Sequence, residues 1–517
     1  MFQVNQGINF IEDKSLITQL DQLEIPILHQ DVRPQAVVTV NQEDQLPQVI
    51  QPLNSNSTLE MARGEELILD FGDHQVGSLS FELESFGSPP DAPTKLQLSF
   101  GERPLEMVGS FAAYDGSLSR SWLQEELITV DVLPTKINLT RRYCFRYLKI
   151  KVVDTSPKYG IRLKELICHT QSAVAFDEAS FISTEDSLLN EIDRISQKTL
   201  AQCMQEVFED GPKRDRRLWL GDLRLQALAN YATFQHNDLV KKCLYLFAAK
   251  TKDDGQVSAN VFVAPTLIPD DTFLTDYSLF FVDTLLEYVK QTADQVTLKA
   301  LYPTAMAQVA LVQKKIGSNG MIQLDEGWSA FIDWQEELDK LPAMQGVVIY
   351  TFKKAVELAQ MMQESERGEE LIQLIEQLEK AALSEFYDQD RQLFKGLSGQ
   401  LSYASQSWLV LAEVGSPELR RSVMQMTADS QGELVECNTP YMYHHYVAAL
   451  FETGLKEAAT AVMKRYWGGM VAEGADTFWE IYNPNKANFS PYGSPLINSY
   501  CHAWSCTPCY LIRKYLK

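Results

Sequence analysis

Two stretches, far apart in the chain, hold most of the residue types that acid–base chemistry needs. The first reads Glu209-Asp210-Gly211-Pro212-Lys213-Arg214-Asp215-Arg216-Arg217-Leu218-Trp219-Leu220-Gly221-Asp222. It puts four carboxylates, four cations and a tryptophan into one segment. Sugar pockets are built from such sets, with aromatic rings under apolar pyranose faces and carboxylates or guanidinium groups on the hydroxyls. A plainer reading also stands: Asp222 caps a helix starting at Leu223, and the alternating Arg and Asp form a solvated salt-bridge network. The second stretch reads Glu473-Gly474-Ala475-Asp476-Thr477-Phe478-Trp479-Glu480-Ile481-Tyr482-Asn483-Pro484. Here Glu480 sits among three aromatics, which suggests a partly desolvated carboxylate. Burial raises the pKa of such a group, and acid–base catalysis uses that tuning. The alternative is an interfacial acid whose aromatics belong to the core. Two aromatic-rich carboxylate loops together suggest the two-carboxylate logic of glycoside hydrolysis.

Other candidates are weaker one by one. Asn498-Ser499-Tyr500-Cys501-His502-Ala503-Trp504-Ser505 is expected at the start of the last helix, where a lone histidine is usually structural. Asp270, Asp271 and Asp276 flank Thr272-Phe273-Leu274, and Asp333-Trp334 follows Trp328. There is no H-E-x-x-H, G-x-S-x-G, P-loop or G-x-G-x-x-G. His444 and His445 are adjacent, so their rings diverge on a helix and suit joint metal ligation poorly. No metal and no cofactor is expected.

Two kinds of element must position these groups. Up to about Phe181 the pattern has period two, as in Ser78 to Glu84, Lys95 to Phe100 and Tyr147 to Val152, with turn clusters such as Gly87-Ser88-Pro89-Pro90-Asp91 between. Short alternating strands read as an antiparallel β-sandwich. Near Ile182 the period becomes helical, after a capping-box-like Ser183-Thr184-Glu185-Asp186. Helical stretches are expected over 223–250, 275–292, 297–315, 345–364, 367–386, 404–413, 417–427, 440–453, 455–466 and 499–514. Helices of similar length joined by very unequal loops suit a toroid of helical hairpins, with the long loops building a site at one rim. The expected division is a β-sandwich domain over 1–180 and a helical domain over 181–517.

Composition narrows the partners. With 45% hydrophobic residues in 517, two or three well-packed domains are affordable. A formal net charge of −23 repels nucleic acids and anionic membranes and fits a neutral substrate. Neither a signal-like run nor a bilayer-length apolar stretch is visible. Eight scattered cysteines, including Cys506-Thr507-Pro508-Cys509, read as buried thiols in a reducing, cytoplasmic setting.

Taken in order, the motifs resemble family 78 of the glycoside hydrolases, the bacterial α-L-rhamnosidases. Leu69-Asp70-Phe71-Gly72 with Val76-Gly77, and Phe145-Arg146-Tyr147, are similar to that family's N-terminal signals. Asp210 to Asp222 resembles its D-x-P-x-R-D-E-R-L-G-W-T-G-D. Asn438-Thr439-Pro440-Tyr441, Gly474 to Glu480 and Asn498 to Trp504 resemble its G-T-P-Y, G-A-T-T-x-W-E and N-H-Y segments. The resemblance implies an (α/α)6 toroid behind a β-sandwich, and hydrolysis with inversion. It places the water-activating base on Glu480 and sugar-holding roles on Asp210, Arg214, Trp219, Asp222, Trp334 and His502; Asp215, Asp333 and Trp479 are further expected substrate contacts. One departure is serious: the family's general acid falls on Arg216, and one residue is missing between Leu218 and Trp219. Arginine cannot donate a proton at neutral pH. Either another carboxyl acts, and Asp222 is the expected one, or the chain binds rhamnosides without cleaving them. A related deoxysugar or uronide is the alternative substrate. The family's C-terminal β-domain has no counterpart, so small rhamnose-bearing glycosides are the expected ligands. A homodimer is compatible with all of this.

Overall fold

The computed structural model describes residues 7–41, 43, 45–324, 329–430 and 432–517; Trp328 lies outside them. The period-two segments form strands. After β1 (Phe10–Glu12), a ten-stranded sheet contains β2 (Leu28–Val32), β3 (Ala36–Val40), β4 (Pro47–Pro52), β5 (Leu59–Met61), β6 (Glu66–Gly87), β7 (Thr94–Gly101), β8 (Glu125–Val130), β9 (Thr135–Asn138), β10 (Tyr143–Asp154) and β11 (Tyr159–Ser172). Along its central path β2-β11-β6-β10-β7-β8 the strands pair antiparallel. The long β6 serves two partners in turn: Glu66 to Gly77 pairs with β10, and Gly77 to Gly87 with β11. Gly77 stands at the handover. A Cβ there would come within 2.2 Å of the His169 carbonyl, so only glycine lets the strands approach. Alternate residues Phe71, Leu79, Phe81, Leu98, Phe100 and Phe145 fill one core drawn from both halves of the sheet.

The chain before β2 goes elsewhere. β1 pairs with Lys250–Lys252, and α1 (Lys14–Leu20), capped by Asp13, packs on a helix of the second region. Leu16 and Ile25 join the helical core. Residues 10–25, inside the range 1–180 expected for the β-domain, therefore pack with the helices.

Twelve helices follow among the described residues: α2 (Ser187–Cys203), α3 (Leu220–Ala232), α4 (Asn237–Ala249), α5 (Thr275–Thr292), α6 (Gln295–Gln313), α7 (Leu341–Met361), α8 (Ser365–Phe386), α9 (Tyr403–Leu411), α10 (Pro417–Asp429), α11 (Pro440–Glu452), α12 (Lys456–Ala472) and α13 (Pro508–Tyr515). The odd-numbered ones touch in succession from α3 to α11, and α13 touches both α11 and α3. α5, α7, α9 and α11 are buried along most of their lengths, whereas α8 buries one stripe at Leu371, Ile375, Leu378, Ala382 and Phe386. The long connections, 204–219, 250–274, 314–340, 387–402, 430–439 and 473–507, all lead into odd-numbered helices. They meet the N-terminal ends of those helices.

Three local expectations are corrected. The stretch 223–250 is two helices, broken where Asn230 takes the turn into its own hydrogen bonds and Gln235 adopts φ +57°. The stretch 499–514 is helical only from Pro508, after a short turn at Ala503–Ser505, because 499–502 is tied by backbone bonds to Glu480 and Phe478. Asp186 itself caps α2, accepting from the Leu189 amide.

Asp193 on α2, fully buried, accepts from Arg513 on α13, from Gln197 and from the Ile182 amide. It ties the last helix to the first of the twelve. Removing one partner of a buried ion pair costs about 3–5 kcal/mol. Asp193→Ala is expected to lower the urea midpoint of the helical signal accordingly. An unchanged midpoint would show that α13 is held by other contacts.

Candidate active site

The connection 204–219 carries the first cluster. Asp215 (φ +61°) and Arg216 (φ +53°) are successive left-handed residues, an uncommon backbone that gives neighbouring arginines different directions. Arg214 turns into the protein. Its Nε donates to the Ile497 carbonyl (3.1 Å), and its Nη2 donates to the Tyr492 hydroxyl (2.7 Å) and to the Glu480 carboxylate. Arg216 turns to the β-domain, donating to the carbonyls of Pro212 (2.8 Å) and Arg142 (2.9 Å). Burial, reinforced by Arg142, lowers its pKa to about 10, which still leaves it a cation at neutral pH.

Glu480 lies in the connection 473–507, 3% exposed. Besides Arg214, its Oε1 accepts from the Tyr492 hydroxyl (2.6 Å). Its backbone is clamped as well: its N–H donates to the Ser499 carbonyl (3.0 Å), and its own carbonyl accepts from Trp504 Nε1 (2.8 Å). A carboxylate out of water needs such partners to stay charged.

Asp222 presents the opposite case. It lies in the first turn of α3, not at its cap, 2% exposed, and its Oδ1 has no hydrogen-bond partner among the described residues. Burial, then the Glu480 charge, raises its pKa well above the usual carboxyl range. His502 stands between two acids: Nδ1 is 3.7 Å from Asp222 Oδ1 and Nε2 is 3.9 Å from Asp210 Oδ2. Burial, helped by Arg214, pushes its pKa down and holds the ring neutral. Asp210 accepts from the Arg217 amide (3.0 Å), and burial together with Asp215 and Asp222 raises its pKa.

The structure therefore gathers Asp210, Arg214, Asp222, Glu480 and His502. Asp215 stays near Arg214, 3.8 Å away, with a quarter of its side chain exposed. Trp219 is half-buried and meets Tyr277 edge-on, and Trp334 does the same against Tyr492. Asp333 has its oxygens occupied: it accepts from the amides of Trp334, Asn438 and Thr439 and from the Thr439 hydroxyl, which pins the start of α11. Burial brings its pKa to about 6. Asp276 likewise accepts from the amides of Phe331 and Ile332. Trp479, expected among the sugar contacts, packs under Arg103 of the β-domain (4.1 Å) and against Tyr500 instead. Tyr492 was not expected at all. It lies in a stretch, Asn485 to Ile497, that carries no motif. Among the described residues, His74, Glu102 and Cys144 are close enough to share a cation, but Glu102 already has the Lys213 ammonium at 3.5 Å.

Comparison with known proteins bears on this arrangement. The profile described as the glycosyl hydrolase family 78 alpha-rhamnosidase N-terminal domain matches residues 34–170. The profile of the bacterial alpha-L-rhamnosidase 6 hairpin glycosidase domain matches 177–516. The chain belongs to glycosyl hydrolase family 78. It is an enzyme of the α-L-rhamnosidase class. Among solved structures, it is similar to a rhamnosidase from Klebsiella oxytoca with rhamnose bound, at 46% identity and TM-score 0.95 over 98% of this chain and 100% of that one. Two others share the fold. One is a family 78 rhamnosidase of Bacillus sp. GL1, 21% identical, TM-score 0.75, over 90% of this chain and 48% of that one. The other is the Streptomyces avermitilis α-L-rhamnosidase, 15% identical, TM-score 0.68, over 95% and 44%. No curated protein sequence matches significantly.

In this rhamnosidase the Tyr492 hydroxyl is the one neutral side-chain donor on Glu480 among the described residues. A hydrogen bond to a charged group is worth about 1.5–3 kcal/mol, so Tyr492→Phe is expected to lower kcat on an aryl rhamnoside roughly 10- to 100-fold. Steady-state kinetics check this. A kcat within about two-fold of the parent would mean that Arg214 alone suffices for Glu480.

Proposed function

We propose that the enzyme releases terminal α-L-rhamnose from small glycosides with inversion, Glu480 acting as base and Asp222 as acid. One observation carries the reading: two buried carboxyls share a site but not an environment. Glu480 has a guanidinium and a hydroxyl on its oxygens, which suits the base proposed for it. Asp222 has no cation beside it among the described residues and a raised pKa, which suits the proton donor proposed for it. In the proposed reaction Glu480 removes a proton from water as its oxygen bonds to the anomeric carbon. Asp222 protonates the glycosidic oxygen as that bond breaks. The proton on Glu480 then returns to solvent and Asp222 is reprotonated. Asp210, Arg214, Asp215, Trp219, Trp334 and His502 are the proposed sugar-holding groups.

The same reading takes the succession of odd-numbered helices as the inner ring of an (α/α)6 toroid, and the sheet as a β-sandwich. Eight buried free thiols suit a reducing cytoplasm, and no described helix is long and apolar enough to cross a membrane. A homodimer remains part of the proposal.

Because Asp222 must be protonated to act, and its pKa is raised, the rate should fall on the alkaline side as pH climbs through that raised value. Asp222→Asn should remove this limb. It should also spare an aryl rhamnoside with an acidic phenol far more than a rhamnosyl disaccharide, since only the latter needs protonation. Equal slowing of both substrates would assign the acid elsewhere, with Asp210 next in line. Glu480→Gln should lower kcat by roughly 10²-fold or more. Proton NMR of the first-formed rhamnose reads the stereochemistry, and initial appearance of the α-anomer would rule out inversion.

A further inference from the structure

One of the links between the β-domain and the catalytic loops is a buried ammonium. Lys213, 1% exposed, directly precedes Arg214. Its Nζ donates to Glu106 Oε1 of the β-domain (2.5 Å), to the Asn498 carbonyl (2.8 Å) and to the Leu496 carbonyl (3.2 Å). An ammonium has three N–H donors, and these contacts use all of them. Glu106 is itself fixed, its Oε2 accepting from the amides of Glu102 (2.7 Å) and Arg103 (2.9 Å). On the far side, Asn498 precedes Ser499, whose carbonyl takes the Glu480 N–H. Each of the two chain segments held by Lys213 is thus one residue from a contact of Glu480: Arg214 on one side and Ser499 on the other.

We infer that Glu106, in the β-domain, is a positioning residue for the base Glu480, acting through Lys213 and Arg214. This rests on the proposed role of Glu480. The carboxylate orients the ammonium, and the ammonium sets the register of segment 213–214 against segment 496–499. That register presents the Arg214 guanidinium to Glu480. Nothing in the arrangement brings Glu106 to the substrate, so its effect is on the geometry and charge of the base alone.

The groups facing Lys213 are Glu102, Glu106, the His74–Cys144 pair beyond Glu102, and the Tyr500 ring at 5.5 Å. Those facing Glu480 are Arg214, Tyr492 and the charge-coupled Asp222. Glu106→Gln keeps the shape but removes the carboxylate from the first set. Lys213 then keeps only the more distant Glu102, at 3.5 Å, as a carboxylate partner, and Arg214 is held less closely on Glu480.

The test uses the full-length enzyme and p-nitrophenyl α-L-rhamnoside, reading kcat against KM, with Tm measured alongside. Glu106→Gln should lower kcat about ten-fold with KM little changed. Glu106→Asp keeps the charge one methylene further back, and should lose less of kcat. It also carries the test if Glu106→Gln does not fold. A folded variant with a lowered Tm but the parental kcat would overturn the inference, leaving Glu106 a tie between domains. No turnover by the parent enzyme would overturn the proposed reaction itself, and this inference with it. Parental kcat in both variants would sink only the role of Glu106.

Discussion

The structure is organised around keeping one carboxylate charged away from water. Burying an unpaired carboxylate costs several kcal/mol, and an ill-fitted partner does not recover it. Glu480 therefore requires the Arg214 guanidinium at bonding distance, although the two lie 266 residues apart. That requirement fixes how the connection into α3 meets the connection into α13. Gly211 shows how tight the approach is: a Cβ there would come within 2.8 Å of Ser499 Oγ and 3.1 Å of the Cys501 carbonyl. The left-handed pair Asp215 and Arg216 completes the turn that delivers Arg214 to the site. The odd-numbered helices supply the frame, since every long connection enters the N-terminal end of one of them.

The same frame explains why a second carboxyl close by can behave in the opposite way. Asp222 sits in the first turn of α3, where the helix dipole favours a negative charge by about 0.3–1 kcal/mol. Full burial and the Glu480 charge act against that, and the direction of its pKa shows that they win. His502 does not reverse the outcome. Its ring is held neutral, and at 3.7 Å it donates no hydrogen bond to Asp222. Two buried carboxyls thus share a site, and among the described residues only Glu480 has a cation on its oxygens.

Much of this was legible in the sequence. The change of period near Ile182 located the change from strands to helices, and the unequal spacing of helical stretches indicated loops collected at one end. The residue types in Asp210 to Asp222 and Gly474 to Glu480 indicated a two-carboxylate site. What was not legible depends on where side chains point. Trp479 adjoins Glu480 in sequence, yet packs under Arg103, a contact that no periodicity in an irregular segment announces. Asp333 reads as a loop-borne substrate contact, but its oxygens accept from four donors around the start of α11. Tyr492 had no signal, since a single hydroxyl in an irregular segment has no periodicity to betray it. The pairing of β1 with Lys250–Lys252 was equally invisible, because a three-residue strand is too short to show alternation and its partner is remote.

Arg216 is the position where motif and geometry part company, and the geometry gives the reason. A family motif assigns a role to a place in a string, but a role belongs to a direction in space. Here the backbone at 216 is left-handed, and its side chain meets two carbonyl oxygens, those of Pro212 and Arg142. A glutamate at 216 would set a carboxylate against two acceptors and leave both carbonyls without a side-chain donor. Arginine supplies the donors that this place needs, five N–H groups in a planar fork. On that view the loss of an acid at 216 does not leave the site short of a proton. In the proposed reaction the proton comes from a buried carboxyl of raised pKa, as Asp222 and Asp210 both are, and Asp222 is the one proposed.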